Sequence, residues 1–204
     1  MGTFIQTKRL LKYRMGLIRL KQMGLERVFS YTLGKEAGVS AELVRKDFSN
    51  FGIKGNRRGG YEIDDLLSSV EKIFGKDRVQ NVVIMGMGNM GKALSHYRGF
   101  SDNNMNIVAG FDIDPAKINK KFHIPIYPVD NLKEIIDAFH VSVAILAVPE
   151  IAAQETCDLL VRSGIKGILN LAPVLLKVPD DVFVNNVNLM VELERLMYHS
   201  GVLK

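Results

Sequence analysis

The chain contains one cysteine, Cys157, and therefore cannot close an internal disulfide. A cross-linked scaffold is excluded, in keeping with a reducing compartment. No apolar run reaches the ~18 residues that span a bilayer. No charged-then-apolar leader ends in a small-residue cleavage site. A cytoplasmic location with no membrane partner is expected. The four histidines, His96, His123, His140 and His199, are scattered. None has a carboxylate partner at a usable spacing and no pair has metal-ligand spacing, so neither a metal site nor catalytic residues are expected. Cys157 falls within a helical stretch without an activating neighbour and reads as a packing residue.

What the chain does have is apolar content and an uneven charge. Apolar residues make up 47% of 204 positions, enough for a sizeable core in one domain or two small ones. Residues 1–80 hold 16 Lys/Arg against 9 Asp/Glu, whereas residues 81–204 hold 11 against 13. A basic first half beside a mildly acidic second half suggests a polyanion, nucleic acid, at one end; chance surface charge is the plainer alternative.

The basic half carries a helical pattern. Leu10, Tyr13, Leu17 and Leu20 recur at helical spacing between Lys8 and Met23, and Gly24 closes that helix. Residues 30–37 suggest a short second helix. Gly38-Val39 makes a turn, and Ser40 is a candidate N-cap for a third helix reaching about Asn50. Two short helices across a tight glycine turn are a helix-turn-helix. At 100° per residue the third helix turns Leu43, Val44, Phe48 and Phe51 to the core. Glu42, Arg45, Lys46 and Ser49 point the other way, the face that enters a major groove. Asp47 lies on the flank, either orienting Arg45 or Lys46 or simply solvated. Residues 52–61 then place four glycines and three cations in ten positions. They read as a hairpin wing in which Lys54, Arg57 and Arg58 track phosphates or enter a narrow minor groove. A mobile loop with incidental charge is the alternative. Asp64 to Phe74 reads as a linking helix.

The second half opens on Val82-Val83-Ile84-Met85-Gly86-Met87-Gly88-Asn89-Met90-Gly91, a buried strand running into Gly-x-Gly-x-x-Gly. About 20 residues later Asp112 ends a second apolar run. This is the dinucleotide fingerprint in context: Gly86 for the tight turn, Gly88 for close approach of a pyrophosphate, Gly91 for helix–strand packing. A carboxylate at Asp112 accepts from the ribose 2′-OH of NAD and repels the 2′-phosphate of NADP. Further helices and strands follow in alternation, with strands at 141–148 and 167–170, so a doubly wound parallel sheet is expected. Ligands in such sheets lie beyond the carboxyl ends of the strands, which puts Val148-Pro149 and Asn170-Leu171-Ala172-Pro173 near the cofactor. After the last strand, near residues 182–184, about 20 residues remain, too few for a substrate domain. Asn188 to Ser200 form a helix with apolar residues over a wide arc, suited to a partner subunit or to packing back on its own sheet.

Together these residues resemble the Rex family of redox-sensing transcriptional repressors. The resemblance rests on Val44-Arg45-Lys46-Asp47-Phe48-Ser49 with Phe51-Gly52, on Gly59-Gly60-Tyr61, and on Gly86 through Leu94. Phe111-Asp112-Ile113-Asp114-Pro115, Ala147-Val148-Pro149 and residues 164–173 reinforce it. It implies a homodimer of winged-helix heads and dinucleotide domains that binds a palindromic double-stranded operator and is released by NADH more than by NAD+. It implies contact of the cofactor with Ile113 and of the nicotinamide with Tyr97, and exchange of the C-terminal helix between subunits. The fold expected is α/β: a winged helix-turn-helix domain over 1–78, a Rossmann domain over 79–186 and a dimerisation helix over 187–204. Three positions depart from the family pattern. Asn188 stands where an Asp is usual, Met15 where some members carry Arg, and Asn119 where a Gly is usual, so the charged Asp–Arg contact of the family cannot form. Two other readings remain: a small NAD-dependent oxidoreductase with an accessory basic domain, since residues 86–91 also look like the opening of 3-hydroxyacid and prephenate-type dehydrogenases, and a structural or coenzyme A-binding module.

Overall fold

A computed structural model describes residues 3–55, 59–76, 78–118 and 121–201. The chain divides into two compact units, Met1–Arg78 and Val79–Lys204.

The first unit is built on four helices. Helix α1 (Phe4–Gln22) starts four residues earlier than its apolar repeat suggests. The reason is a reciprocal cap: Gln6 N donates to Thr3 Oγ1 and Thr3 N donates to Gln6 Oε1. Its buried stripe is Leu10, Tyr13, Leu17 and Leu20. Helix α2 (Ser30–Ala37) ends at Gly38, whose φ of 70° puts it in the left-handed region that glycine tolerates. Helix α3 (Ala41–Asn50) starts at Ser40, which accepts from Leu43 N at 3.2 Å. Strand β1 (Arg27–Val28) pairs antiparallel with β2 (Tyr61–Glu62). The far end of the 52–61 segment, at Tyr61, pairs with a strand that precedes α2, and the tip of the expected wing, residues 56–58, lies outside the described residues. Helix α4 (Ile63–Ile73) is no mere linker either. Ile63, Leu66 and Val70 are buried with Leu10, Tyr13, Leu17, Leu33, Val44 and Phe48 in one core.

The second unit is a doubly wound sheet. Its strands are β3 (Gln80–Met85), β4 (Met105–Asp112), β5 (Ile126–Pro128), β6 (Val143–Leu146), β7 (Gly167–Asn170) and β8 (Phe183–Asn186). They lie in the order β5-β4-β3-β6-β7-β8 and every pairing is parallel. The chain leaves β3 to one side first and then to the other, so the order reverses between β3 and β6. Because side chains alternate along a strand, β3 feeds two cores. Val83 and Met85 pack with α7 (Leu132–Ala138) and α8 (Glu150–Arg162) through Leu132, Ile136, Ala153, Cys157 and Leu160. Val82 and Ile84 pack on the opposite face with Met87, and with Leu94 of α5 (Asn89–Ser95) and Phe100 of α6 (Arg98–Ser101). Helix α9 (Leu189–Ser200) has no buried residue, and Leu189, Met190, Val191, Leu193, Leu196 and Tyr198 are all exposed. Among the described residues no helix is long and apolar enough to cross a membrane.

Candidate functional site

The outward face of α3 carries Arg45, Lys46 and Ser49, all exposed, with Val44 and Phe48 buried beneath them. Lys54, beyond the helix, is exposed as well. Arg57 and Arg58 lie outside the described residues. Asp47 corrects the sequence reading, which left it on the flank beside Arg45 and Lys46. It is fully buried and faces α1. Arg9 Nε and Nη2 donate to its two oxygens at 2.7 and 2.6 Å, and Tyr13 Oη donates at 2.8 Å. Burial opposes ionisation of Asp47, but the bonds from Arg9 and Tyr13 outweigh it and hold its pKa below the ordinary carboxylate value. The Tyr13 hydroxyl is pushed the other way, upward, by burial and by the carboxylate it serves.

In the second unit, the loop after β3 lies at the point where the strand order reverses. Its glycines answer to different demands. A Cβ on Gly86 would stand 2.4 Å from Ala147 O, and one on Gly91 2.0 Å from Gly86 O. Both are required by the protein's own packing. A Cβ on Gly88 would meet nothing within 4 Å, and its φ of −75° suits any residue. Nothing in the fold demands glycine there; the open space fits a ligand that approaches the backbone closely. Gly88 also caps α5 without a side chain, leaving room for an anion before the first turn. Asn89 and Met90 are exposed in that turn, whereas the Met87 side chain is fully buried and offers the site only its backbone.

That backbone N–H reaches the acid expected to face the ribose. Asp112 Oδ2 accepts from Met87 N at 2.9 Å and Oδ1 accepts from Asp114 N at 2.9 Å. The sequence reading missed a third partner: Lys117 Nζ lies 2.8 Å from Oδ2. Burial resists ionisation of Asp112, but Lys117 and the two backbone donors prevail and lower its pKa. Such a carboxylate stays charged at neutral pH and keeps acceptor capacity for a sugar hydroxyl.

The rim residues lie as follows. Ile113 is strongly exposed one position beyond Asp112, and Pro149, partly covered Val148 beside it, caps α8. Tyr97 caps α6 and is exposed, its ring edge-on to Phe100 at 5.2 Å. Ala172 is buried in the α7–α8 core and Pro173 is exposed. The turn they form is held by buried Asn170, whose Nδ2 donates to Val174 O at 2.7 Å and whose Oδ1 accepts from Ala172 N at 3.0 Å. The scattered histidines are not all apart in space: the His96 and His123 rings meet at a tilt of 40° with centroids 3.8 Å apart. Among the described residues no group of three or more His, Cys, Asp or Glu could hold a metal ion. Cys157 is buried, and burial raises its pKa, away from reactivity.

Known proteins match this arrangement along nearly its whole length. The redox-sensing transcriptional repressor Rex of Listeria welshimeri is 41% identical over 192 residues, covering 94% of this chain and 89% of the relative. Rex of Pelotomaculum thermopropionicum is 42% identical over 192 residues, covering 94% and 90%. The chain belongs to the Rex family of redox-sensing transcriptional repressors. Two family models divide it: one described as a putative DNA-binding protein N-terminus matches residues 6–49, and one described as a CoA binding domain matches residues 77–174. Among solved structures, the Rex-family repressor RSP in complex with β-NAD+ and operator DNA superposes with a TM-score of 0.91 at 34% identity, covering 98% of this chain and 92% of that one. RSP in complex with β-NADH gives 0.86 at 34% identity, covering 98% and 94%. The relatives are named as repressors, so the oxidoreductase reading falls. The RSP complexes hold nicotinamide dinucleotides.

Proposed function

We propose that this Rex-family chain is a DNA-binding repressor released from its operator by NADH more than by NAD+, acting in the cytoplasm. The observation that carries the proposal is Gly88: a glycine that packing does not require, opening onto free space beside an ionised Asp112. Gly86, Met87, Gly88, Asn89, Met90 and Gly91 line the pyrophosphate side. Asp112 and Ile113 take the adenosine side. Tyr97, Val148, Pro149, Ala172 and Pro173 border the nicotinamide side, Ala172 through its backbone. Arg45, Lys46 and Ser49 read the major groove, with Lys54, Arg57 and Arg58 along the flanking backbone. The working boundaries are 1–78 for the DNA-binding domain, 79–186 for the dinucleotide domain and 187–204 for a dimerisation helix.

Support for a homodimer comes from α9. Its apolar side chains are exposed over a wide arc of the helix, and a second copy of the chain, by helix exchange, would cover them. Two-fold symmetry then calls for a palindromic operator with half-sites one helical turn or a multiple apart. Control follows from linkage. A ligand shifts two states only by its differential affinity for them. Roughly 100-fold tighter binding to the released state, at each of two sites, amounts to about 5.5 kcal/mol and inverts a 99:1 preference. Specific operator binding exceeds non-specific binding by about 4–10 kcal/mol, so misplacing one half-site removes much of the margin.

The test is a duplex-DNA titration at fixed salt, with either nucleotide added. Sequence-selective binding released at lower NADH than NAD+ concentration supports the proposal. Equal grip on the operator with both nucleotides, or none, overturns it.

A further inference from the structure

His96 and His123 are far apart in the chain, and folding brings their exposed rings together, with centroids 3.8 Å apart. Each ring is oriented by the last turn of α5. His96 Nδ1 lies 2.9 Å from Lys92 O, and His123 Nε2 lies 2.9 Å from Ser95 O. A carbonyl oxygen only accepts, so both of these nitrogens carry the proton. In each neutral ring the lone pair is left on the other nitrogen, Nε2 of His96 and Nδ1 of His123. Phe122 braces the pair. Its ring centroid is 5.2 Å from that of His96 and 4.4 Å from that of His123, and it packs against the core that holds Val82 and Ile84.

Capping the last carbonyls of α5 needs only the protonated nitrogens. It does not account for two lone pairs on touching, exposed rings. A histidine that binds metal almost always donates its second ring N–H to a carboxylate, a backbone carbonyl or water, which fixes the tautomer. Both rings already do so. Their planes are inclined at 40° and therefore intersect, and a cation shared by two imidazoles sits near such an intersection. We propose that His96 Nε2 and His123 Nδ1 form a bis-imidazole site for a late first-row divalent cation, Cu2+, Ni2+ or Zn2+. Imidazole suits these ions, whereas Mg2+ and Ca2+ take oxygen ligands. Among the described residues no third His, Cys, Asp or Glu joins the pair, so water completes the coordination. Such a site is open and exchangeable, unlike the four-ligand sites that enclose structural zinc. A bound ion clips the C-terminal end of α5 to the segment entering β5, at the opposite end of the helix from Gly88.

The experiment titrates tag-free, full-length protein with ZnCl2 and with NiCl2 by calorimetry, with MgCl2 as control. Long-range proton–nitrogen spectra of the imidazoles identify the coordinating atoms. The expected result is Zn2+ binding that shifts His96 Nε2 and His123 Nδ1 and leaves His140 and His199 unmoved. His96→Asn and His123→Gln each set an amide N–H near the lost ring N–H, so the helix end stays capped while a ligand is removed. Each should weaken Zn2+ and Ni2+ binding by at least about tenfold. Zn2+ should raise the melting temperature of the wild type and not of the double variant, because only the folded site binds it. If a variant fails to fold by circular dichroism, the wild-type ring shifts decide the matter alone. A wild type that binds neither ion overturns the proposal. So does undiminished affinity in either folded variant, the mark of an adventitious ion only. A shift confined to one ring overturns it as well, since that describes a single surface histidine.

Discussion

Asp47 on α3 and Arg9 on α1 form a two-pronged ion pair, Nε to Oδ2 and Nη2 to Oδ1, with Tyr13 Oη on the same carboxylate. The helix proposed to read bases is thus fastened to the first helix from its inner side, one position from exposed Lys46. Removing one partner of a buried pair costs about 3–5 kcal/mol, because the other charge is left without compensation. Asp47→Ala should destabilise the first unit by about 3 kcal/mol. Tyr13→Phe should lose about 2 kcal/mol, the worth of one hydrogen bond to a charged group. Urea unfolding followed by far-ultraviolet circular dichroism reads both; a loss below 1 kcal/mol in Asp47→Ala contradicts the packing described.

The same carboxylate makes stability depend on acid. The folded-state pKa of Asp47 lies below its ordinary value of 3.8. The unfolded chain therefore binds the proton first. Stability from the pair is complete above the unfolded value and is lost as pH falls from about 4 through the folded pKa. Denaturant midpoints taken from pH 6 to pH 2 should drop in that window, and Asp47→Asn should flatten the drop while lowering the plateau.

Gly88 and Gly91 separate ligand demand from fold demand. Gly88→Ala should keep the melting temperature within a few degrees, since the added methyl meets open space, yet weaken NADH binding by at least about tenfold. Gly91→Ala drives a methyl into the Gly86 carbonyl and should destabilise the second unit whether or not nucleotide is present. Calorimetry of the two variants side by side distinguishes them; an unaltered NADH affinity in Gly88→Ala sinks the pocket assignment.

On DNA, Arg45→Ala should erode preference for one base position by about 1–3 kcal/mol. Lys54→Ala should weaken all sequences alike and reduce the salt slope by about one. Competition titrations with single-site operator variants at several salt concentrations tell base reading from phosphate contact.

Asn188 caps α9, accepting from Met190 N and Val191 N at 3.0 and 3.3 Å. Aspartate caps equally well, so Asn188→Asp should leave the helix intact. Met15 is exposed, and its neighbour Arg14 is bound to Glu71, so it does not stand in for the family's arginine. Only the double variant Met15→Arg/Asn188→Asp brings back both charged residue types that the family resemblance implies. It should widen the gap between NADH and NAD+ in releasing DNA, and neither single variant should; gel shifts of all three check this.

The legible parts of this molecule were those set by near neighbours. Val82–Met85 followed at once by three spaced glycines declares strand, turn and helix within ten residues, and Ser40 announces α3 from the adjacent position. The parts that stayed hidden depend on distant or shape-dependent partners. Asp47 meets groups 34 and 38 positions earlier, which no helical wheel of α3 can display. Strands β1 and β2, of two residues each, are too short for alternation to register. Lys117 reaches Asp112 only because the Asp114 turn folds back, and His96 finds His123 only once β4 has run its length. The start of α1 escaped because polar Thr3 and Gln6, not the apolar repeat, set it.

Helix α9 has a consequence for how much of the regulator a cell must hold. Greasy side chains over a wide arc of that helix are left bare in a solitary copy, and if pairing is what shelters them, folding and association become one concentration-dependent event. Dilution would then disarm the molecule as surely as a metabolite does. Repression would track the abundance of the chain steeply, because both the assembled pair and its symmetric grip on DNA draw on the same supply.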